Sequence, residues 1–323
     1  MKNSDIKKIA ILTSGGDSPG MNGAIRSVVR YALYRNIEVT GVAHGFQGLI
    51  DKNFINLGRR DVSNIITDGG TFLKTARSQE FYKKPGREKA FKNLRKGRID
   101  AFIAIGGDGT FEAGSIFYKE FGIPVTGIPA TIDNDIYGTQ KTLGFDTALN
   151  TALDAVDKIR DTAYSMDRIF IVEVMGRLSG SIAVHTALAG GAEDVLIPEI
   201  PRNLDEVVEK IEAGRRRGKK SWIIIIAEGV DKTRELEKRI KKDIKDVRVT
   251  VIGHIQRGGR PSAFDRYLGG LMGKAAVEIL LAGRNHHTVG WVNERIKSYP
   301  LEEAIQKKEE DYSELLSLVQ TLS

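Results

Sequence analysis

The segment 131–135 carries two carboxylates, Asp133 and Asp135, with one residue between them. If the segment is extended, side-chain alternation places Thr131, Asp133 and Asp135 on one side. Two carboxylates on one surface repel each other unless one binds a metal ion or takes up a proton. Phosphoryl transfer needs such a pair, because one carboxylate accepts the proton of the attacking hydroxyl and another faces magnesium. The alternative is that both only cap the turn at 137–138.

Two glycine-containing segments, at 15–17 and 106–110, follow apolar stretches of the sequence. Glycine allows close backbone approach, and amides at the start of a following helix can receive phosphate oxygens. Neither segment is a P-loop, because no Gly-Lys-Ser/Thr sequence follows, and a glycine pair after a strand is often only a tight turn. Asp108 would repel a phosphate unless a divalent cation lay between them, so we predict that Asp108 binds magnesium.

Arg77 and Arg177 each follow a glycine-containing segment, where a guanidinium can stabilise charge on migrating phosphoryl oxygens. For each arginine the alternative is a plain surface position. His254 and Arg257 stand three residues apart after an apolar stretch, and their surroundings resemble neither a hydrolase triad nor a zinc site. The pair therefore favours anion binding.

Short apolar stretches rich in β-branched residues must position these groups. They comprise residues 9–12, 101–105, 125–128, 169–174, 222–227 and 249–252. Continuous apolar strands that alternate with helices predict parallel sheets covered on both faces, and therefore an α/β fold. Glycine or charged residues follow each strand, and ligands in open α/β sheets bind outside the carboxyl ends of the strands. We therefore expect one or two binding clefts there.

Apolar residues at helical spacing predict two amphipathic helices, one over 25–33 and one over 148–159. The charged run at 235–246 is typical of a solvated helix face. No internal repeat or low-complexity segment competes with an alternating α/β pattern.

Length and composition limit the function classes. The 323 residues suffice for two domains, and 41% hydrophobic residues can form a core in each. The 49 basic and 42 acidic residues leave a net charge of +7 without a long basic tract, so small anions are expected as ligands and nucleic acid is not. The absence of cysteine excludes disulfides, a thiolate nucleophile and Cys-based zinc sites. With no signal-peptide core and no apolar run near about 18 residues, we expect a cytoplasmic protein without a membrane partner.

Five motifs, at 12–22, 106–110, 129–135, 172–177 and 253–259, together resemble a known family. Over essentially its whole length, the chain is similar to bacterial ATP-dependent 6-phosphofructokinases of the phosphofructokinase A type. The resemblance implies two interleaved three-layer α/β domains with mostly parallel sheets. The ATP-binding domain would comprise residues 1–140 and 257–305, and the fructose 6-phosphate-binding domain would comprise residues 141–256 and 306–323.

The resemblance also implies a reaction, the committed step of glycolysis. ATP would phosphorylate the 1-hydroxyl of fructose 6-phosphate, giving fructose 1,6-bisphosphate and ADP. Asp133 would be the base, with Thr131 beside it; Arg77 and Arg177 would stabilise the transition state. Asp108 and Asp135 would face Mg²⁺.

The implied ligand contacts fall into two sets. Those for ATP are Gly16, Arg77, Ser78, Gly107, Asp108, Gly109 and Thr110. Those for the sugar phosphate are Thr131, Ile132, Asp133, Arg168, Met175, Gly176, Arg177, Glu228, Arg248, His254, Ile255, Gln256 and Arg257. Arg168 and Arg248 would come from a neighbouring subunit of a homotetramer.

Bacterial members of the family also carry a second nucleotide site at a subunit interface, activated by ADP or GDP and inhibited by phosphoenolpyruvate. Arg26 and Arg30 lie four apart on the first predicted helix, off its apolar stripe, a spacing that alone would indicate only helix solubility. The positions that match this site are Arg26, Arg30, Arg59, Asn64, Arg160, Gly191, Ala192, Glu193, Arg217, Lys219, Lys220 and Ser221. Asn64 replaces an aspartate often found there, and residues 285–287 replace a glycine-rich turn.

Three functional hypotheses stay open at this point. Ala130 and Gly109 are small where pyrophosphate-using relatives carry lysine and aspartate, which leaves room for a nucleotide and favours ATP as donor. The rival enzymes are a pyrophosphate-dependent phosphofructokinase and a lipid or NAD kinase that shares the loop at 106–109. A non-catalytic nucleotide sensor on the same scaffold is the third hypothesis, although it would not need Asp133 as a base.

Overall fold

The structure, a computed structural model, describes residues 6–323. The described part of Met1–Thr147 together with Arg257–Glu309 forms one compact unit, here called unit 1. Ala148–Gln256 together with Glu310–Ser323 forms unit 2. The expected division at 140, 257 and 305 lies close to these bounds, and the ligand assigned to each part stays a prediction.

Strands and helices alternate along most of the chain. The strands are β1 Lys8–Thr13, β2 Glu38–Val42, β3 Phe54–Asn56, β4 Ala101–Gly106, β5 Val125–Pro129, β6 Ile169–Val174, β7 Asp194–Leu196, β8 Trp222–Ala227, β9 Val247–Val251, β10 His286–Val292 and β11 Arg295–Pro300. The helices are α1 Met21–Tyr34, α2 Gly45–Asp51, α3 Lys84–Lys96, α4 Asp108–Phe121, α5 Phe145–Ser165, α6 Ser181–Ala189, α7 Leu204–Arg216, α8 Thr233–Lys241, α9 Ala263–Leu281, α10 Leu301–Ala304 and α11 Ser313–Leu322.

Unit 1 is built on a seven-stranded sheet in the order β11-β10-β5-β4-β1-β2-β3. The strands from β10 to β2 pair in parallel, and only β3 and β11 at the two edges pair antiparallel. Alternation along β1 divides its side chains between two cores. Ile9 and Ile11 pack with α1 and α9 on one face, while Ala10 and Leu12 pack with α2, α3 and α4 on the other. Unit 1 therefore has three layers.

Unit 2 contains a four-stranded parallel sheet in the order β7-β8-β6-β9. One face of this sheet packs against α7 and α8 through a core that includes Ile171, Ile224, Val207 and Leu236. Helix α6 packs on strand β8, and helix α11 packs on α6. The α/β class and the mostly parallel sheets are thus confirmed.

All six predicted strands are present within one or two residues of their expected bounds, as β1, β4, β5, β6, β8 and β9. The two predicted amphipathic helices are α1 and α5, and the charged run at 235–246 continues from α8 into a turn. The strands β2, β3 and β7 and the hairpin β10–β11 were not predicted, because polar or glycine residues interrupt the apolar sequence of each. Among the described residues, no helix is both long and apolar enough to cross a membrane.

Candidate active site

The loops that follow β1, β4 and β5 meet at one edge of the unit 1 sheet, because these three parallel strands are neighbours. The buried hydroxyl of Thr110 donates to the carbonyl oxygen of Ser14 at 3.1 Å, joining the second loop to the first. The amide of Ala130 donates to the carbonyl oxygen of Gly106 at 3.0 Å, joining the third loop to the second. The glycine loops and the carboxylate segment are therefore held together.

Helix α4 begins inside the second loop. Gly107 precedes the helix in an extended conformation, and Asp108 is exposed in its first turn. A Cβ atom at Gly106 would lie 2.5 Å from the carbonyl oxygen of Ser14, so only glycine fits there. By contrast, a Cβ atom at Gly109 would meet no atom within 4 Å. The helix N-terminus thus opens onto free space that can take an anion.

The hydroxyl and the amide of Thr110 both form hydrogen bonds within the protein. Its hydroxyl is committed to Ser14, and its amide donates to the carbonyl oxygen of Gly107 at 3.0 Å. Its observed contribution is to fix the relative position of the two glycine loops, and direct contact with ATP stays a prediction.

The segment 131–135 is not the extended strand that the sequence suggested. Strand β5 ends at Pro129, the chain bends at Ile132 and Asp133, and Asn134 has a left-handed φ of 55°. The predicted extended conformation is therefore wrong, and alternation gives no ground for placing Thr131, Asp133 and Asp135 on one side. Asp133 is 3% exposed, whereas Asp135 is half-buried. The bend gives the two carboxylates different environments.

Arg77 is exposed on a segment that is fastened to the first glycine loop. The hydroxyl of Thr75 donates to the carbonyl oxygen of Gly15 at 2.7 Å. The buried Ser78 hydroxyl donates to Oε1 of Gln47 at 2.7 Å and accepts from the amide of Phe81 at 3.1 Å. Ser78 anchors the segment and leaves the guanidinium of Arg77 at the surface.

Arg257 also lies beside the first glycine loop, a proximity that sequence spacing could not give. A Cβ atom at Gly16 would be 2.1 Å from Nη1 of Arg257, and this nitrogen donates to the carbonyl oxygen of Asp17 at 3.4 Å. The structure thus places a cation expected to contact the sugar phosphate against a loop expected to contact ATP.

In unit 2, the loop Met175–Arg177 follows β6 and is strained. Gly176 has φ of 148° and Arg177 has a left-handed φ of 53°. The Glu228 carboxylate accepts hydrogen bonds from the amides of Gly176 at 3.1 Å and Arg177 at 2.7 Å. A Cβ atom at Gly229 would lie 2.0 Å from the carbonyl oxygen of Arg177, so glycine is required there. Glu228 therefore holds the loop that presents Arg177.

Gln256 is buried, unlike its neighbours on the same turn. Its side chain is 0% exposed, and its Oε1 accepts a hydrogen bond from the amide of Met175 at 2.8 Å. Gln256 thus supports the Met175–Arg177 loop from inside, and a direct contact with the substrate stays a prediction. His254 and Ile255 on the same turn are exposed, as a ligand contact requires. The side chain of Ile132 is buried as well, which leaves only its backbone available to a substrate.

Arg168 and Arg248 both form ion pairs with Asp246. Nε of Arg168 lies 3.8 Å and Nη2 of Arg248 lies 3.9 Å from Oδ1 of Asp246. Arg168 directly precedes β6, whereas the Met175–Arg177 loop follows it. Six residues of strand separate the two positions, roughly 20 Å. Arg248 pairs with Phe170 near the same end of β6. Both arginines are therefore attached near the end of β6 opposite the Met175–Arg177 loop of their own chain.

The residues expected at the effector site fall into two groups. In unit 1, Arg30 donates to the carbonyl oxygen of Arg59 at 3.4 Å, and burial together with the nearby charge of Arg30 lowers the pKa of Arg26. The Nε atoms of Arg26 and Arg30 are buried and make no hydrogen bond within the described part of the chain. Asn64 is exposed before a short 3₁₀ turn. Two cations are thus crowded together on α1.

In unit 2, a cavity of about 500 Å³ is lined by Arg160, Glu193 and Ser221 among others. Arg160 donates to the carbonyl oxygen of Gly191 at 2.7 Å, and Lys219 pairs with Glu193 at 3.2 Å. The side chain of Ala192 is buried, while Arg217 and Lys220 are exposed. Three of the eight expected unit 2 positions therefore line this cavity, and Gly191 and Lys219 contact two of those three.

The structure also reveals polar residues that sequence reasoning missed. The hydroxyl of Thr142 donates to the carbonyl oxygen of Thr131, and the amide of Thr142 donates to Oδ1 of Asn134, so these two residues connect the chain on both sides of Asp133. Their signal in the sequence is weak: asparagine tolerates a left-handed turn, and threonine follows two polar residues.

The chain resembles known proteins in both sequence and fold. A family model described as phosphofructokinase matches residues 8–280. ATP-dependent 6-phosphofructokinase 1 of Thermus thermophilus is 50% identical over 98% of this chain and 100% of its own length. ATP-dependent 6-phosphofructokinase of Bacillus pumilus is 50% identical over the same shares of the two chains.

Among solved structures, phosphofructokinase from Saccharomyces cerevisiae matches with a TM-score of 0.88 and 35% identity. The match covers 93% of this chain and 45% of the yeast chain, so this chain spans about half of that relative. The family match, the near-complete alignment to bacterial relatives and the shared fold lead to one conclusion: this chain belongs to the phosphofructokinase family.

Proposed function

We propose that this chain is an ATP-dependent 6-phosphofructokinase that phosphorylates the 1-hydroxyl of fructose 6-phosphate. One observation carries the proposal: neighbouring strand ends of unit 1 present a glycine loop, an acidic helix start and a buried carboxylate, at Gly16, Asp108 and Asp133. Two bacterial relatives that are half identical over their full length bear the name of this activity.

Asp133 is the proposed base. Its burial keeps bulk water away from the carboxylate, and the loop around it fixes its position, as proton transfer in the transition state requires. The proton of the 1-hydroxyl would pass to the carboxylate as the hydroxyl oxygen attacks the γ-phosphorus of ATP. The bond between the γ-phosphorus and the β,γ-bridging oxygen breaks, and ADP leaves.

Asp108 and Asp135 are the residues we assign to Mg²⁺. Among the described residues, no group of three or more His, Cys, Asp or Glu could hold a metal ion alone. That fits magnesium in a kinase, which typically uses one or two carboxylates and completes its shell with phosphate oxygens and water. The exposed Asp108, next to the free space at Gly109, offers such a partial site. When bound, the ion would neutralise charge on the phosphates of ATP.

For the transition state we propose Arg77 and Arg177 as the stabilising cations. Arg77 is exposed on an anchored segment. Hydrogen bonds from the backbone amides of Gly176 and Arg177 to the Glu228 carboxylate fix the backbone at Arg177. Preorganised cations of this kind act without a further reorganisation cost during the reaction. The sugar phosphate would contact the Met175–Arg177 loop, Glu228 and His254.

We further propose a homotetramer in which Arg168 and Arg248 serve a neighbouring subunit. The proposal is supported by the placement of both arginines near the end of β6 opposite the Met175–Arg177 loop. Their only acidic partner, among the ion pairs of the described residues, is the exposed Asp246. A phosphate could readily replace such a surface partner.

A regulatory role is proposed for the second group of cations. ADP or GDP and phosphoenolpyruvate are the expected effectors, and each is an anion that Arg26, Arg30 and Arg59 could bind. Arg160 lines the unit 2 cavity and Lys219 pairs with Glu193 of its lining, so cations of the same kind lie there. A ligand that binds one of two states more tightly shifts the population toward that state.

The open space at Gly109 favours ATP over pyrophosphate, because nothing there restricts a bulky donor. The companion argument from Ala130 does not hold: its methyl group is 1% exposed and packs in the core, so it faces no donor. A coupled assay with fructose 6-phosphate and either ATP or pyrophosphate tests the proposal. We expect turnover with ATP and at least roughly a hundredfold lower kcat/KM with pyrophosphate. Turnover with pyrophosphate alone would instead establish the rival enzyme.

A further inference from the structure

Asp133 lies in a segment without regular secondary structure, so something else must hold it. Strand β5 has ended at Pro129, and the chain bends before Asn134 turns with a φ of 55°. The amide of Asp133 donates to the hydroxyl oxygen of Thr131 at 3.2 Å. The position of the Asp133 backbone therefore depends on the residues on either side of it.

One residue, Thr142, is tied to both of those sides. Its hydroxyl donates to the carbonyl oxygen of Thr131 at 2.6 Å, and its amide donates to Oδ1 of Asn134 at 3.0 Å. Asn134 continues the connection by donating from Nδ2 to the carbonyl oxygen of Gln140 at 3.1 Å. Thr142 is 1% exposed, so water cannot readily substitute for its hydroxyl. The residues before and after Asp133 are thus fastened to the same point.

The neighbouring backbone makes this point a rigid one. Leu143 donates its amide to the carbonyl oxygen of Pro129 at 3.0 Å, and Ala130 and Leu143 pair in parallel. Ala130 in turn donates to Gly106 at 3.0 Å. The segment that carries Thr142 is therefore continuous with the sheet, whereas the bend at 132–134 is not.

From these contacts we infer that Thr142 is a positioning residue for Asp133 in phosphoryl transfer, which rests on the proposed function of Asp133 as base. A hydroxyl has one proton to donate, and of its two acceptors, the Thr131 carbonyl at 2.6 Å and Oδ1 of Asn134 at 3.4 Å, the nearer one takes it. In a variant that lacks the Thr142 hydroxyl, the carbonyl oxygen of Thr131 loses this donor, and the bend at 132–134 can relax. Displacing a reacting group by about 1 Å can lower turnover by roughly a hundredfold.

Steady-state kinetics of Thr142→Val tests the inference, because valine keeps the shape and removes the hydroxyl. We expect kcat to fall by roughly ten- to a hundredfold, with KM for fructose 6-phosphate and for ATP within about threefold of the unmodified chain. Thr142→Ser restores the hydroxyl and should return kcat to within about threefold. If Thr142→Val does not fold, Thr142→Ala removes the same hydroxyl and is held to the same expectation.

Thr139 supplies a matched control in the same loop. It is 3% exposed, its hydroxyl donates to the carbonyl oxygen of Lys141 at 2.8 Å and accepts from the amide of Trp291 at 2.9 Å. None of those partners belongs to 131–135. Thr139→Val should therefore destabilise the protein without changing kcat more than about threefold. Equal losses in the two valine variants would overturn the inference, as would an unchanged kcat in Thr142→Val.

Crystal structures of the two valine variants separate this inference from the proposed function. The Asp133 carboxylate should be displaced in Thr142→Val and unmoved in Thr139→Val. An unmoved Asp133 in Thr142→Val would refute the positioning role, even if the chain transfers no phosphoryl group to fructose 6-phosphate. Conversely, a displaced Asp133 in a chain without that activity would support the contact and refute only the proposed reaction.

Discussion

The carboxylate of Glu228 accepts the amide of Arg177 at 2.7 Å, and the same Oε1 accepts the amide of Gly176 at 3.1 Å. A glutamate expected to contact the substrate therefore also shapes the loop that carries a proposed catalytic arginine. The left-handed φ of Arg177, at 53°, is uncommon for a residue with a side chain, so its surroundings must hold it.

Glu228→Ala should release this loop. A hydrogen bond to a charged group contributes about 1.5–3 kcal/mol, so we expect kcat/KM for fructose 6-phosphate to fall roughly ten- to a hundredfold. Glu228→Gln keeps an acceptor oxygen for the amides and should retain more activity than the alanine variant. Glu235→Ala removes an exposed carboxylate from α8 and serves as the control in the same kinetic assay. Unchanged kinetics in Glu228→Ala would mean that the loop holds itself.

Asp133→Ser should separate binding from chemistry. Positioning of the substrate survives this change and the base does not, so turnover should fall by on the order of a thousandfold or more. Binding of fructose 6-phosphate, measured by calorimetry, should stay near normal. A loss of turnover below about tenfold would remove Asp133 from the role of base.

The sequence predicted the elements of unit 1 better than the path of its chain at the site. The strands β1, β4 and β5 were predictable because each is a continuous apolar stretch, and their ends pointed to the glycine loops. The bend at 132–134 was not, because alternation assumes that a strand continues, and this strand ends at Pro129. Local pattern rules carry no information on where a neighbouring segment stops a strand.

Contacts between residues distant in sequence account for the other differences. Gln256 was expected to face a ligand with His254, but the turn at Gly253–Arg257 points it inward to the amide of Met175. The approach of Arg257 to Gly16 depends on the return of the chain to unit 1 at Arg257. Both contacts result from tertiary packing, which the spacing of residues along the chain does not predict.

Arg26→Ala tests the proposed regulatory group. The side chain lies on α1 beside Arg30, and the mutual charge of the two arginines favours an anionic ligand. We expect loss of activation by ADP with basal turnover within about twofold of normal. Arg35→Ala, just past the end of the same helix, is the matched control and should keep the ADP response. Activation that persists in Arg26→Ala would exclude Arg26 from the effector site.

Asp265 predicts how stability depends on pH. Its buried carboxylate accepts the amides of Gly144 and Thr147, each at 2.9 Å, and the Thr147 hydroxyl at 2.5 Å. Burial outweighs these bonds and raises the pKa of Asp265 from 3.8 to about 6. Because the folded-state pKa lies above the unfolded one, the folded chain binds this proton more tightly. The stabilisation of the folded chain by this tighter proton binding is complete below pH 3.8 and is lost as the pH rises through about 6.

Urea unfolding of the unmodified chain and of Asp265→Asn isolates this effect, because asparagine does not titrate. A shift of about two pKa units corresponds to about 3 kcal/mol of free energy of unfolding. From about pH 4 to about pH 7 the unmodified chain should therefore lose about that much stability relative to the variant. A pH-independent difference for Asp265→Asn would show that this carboxyl titrates alike in the folded and unfolded chain.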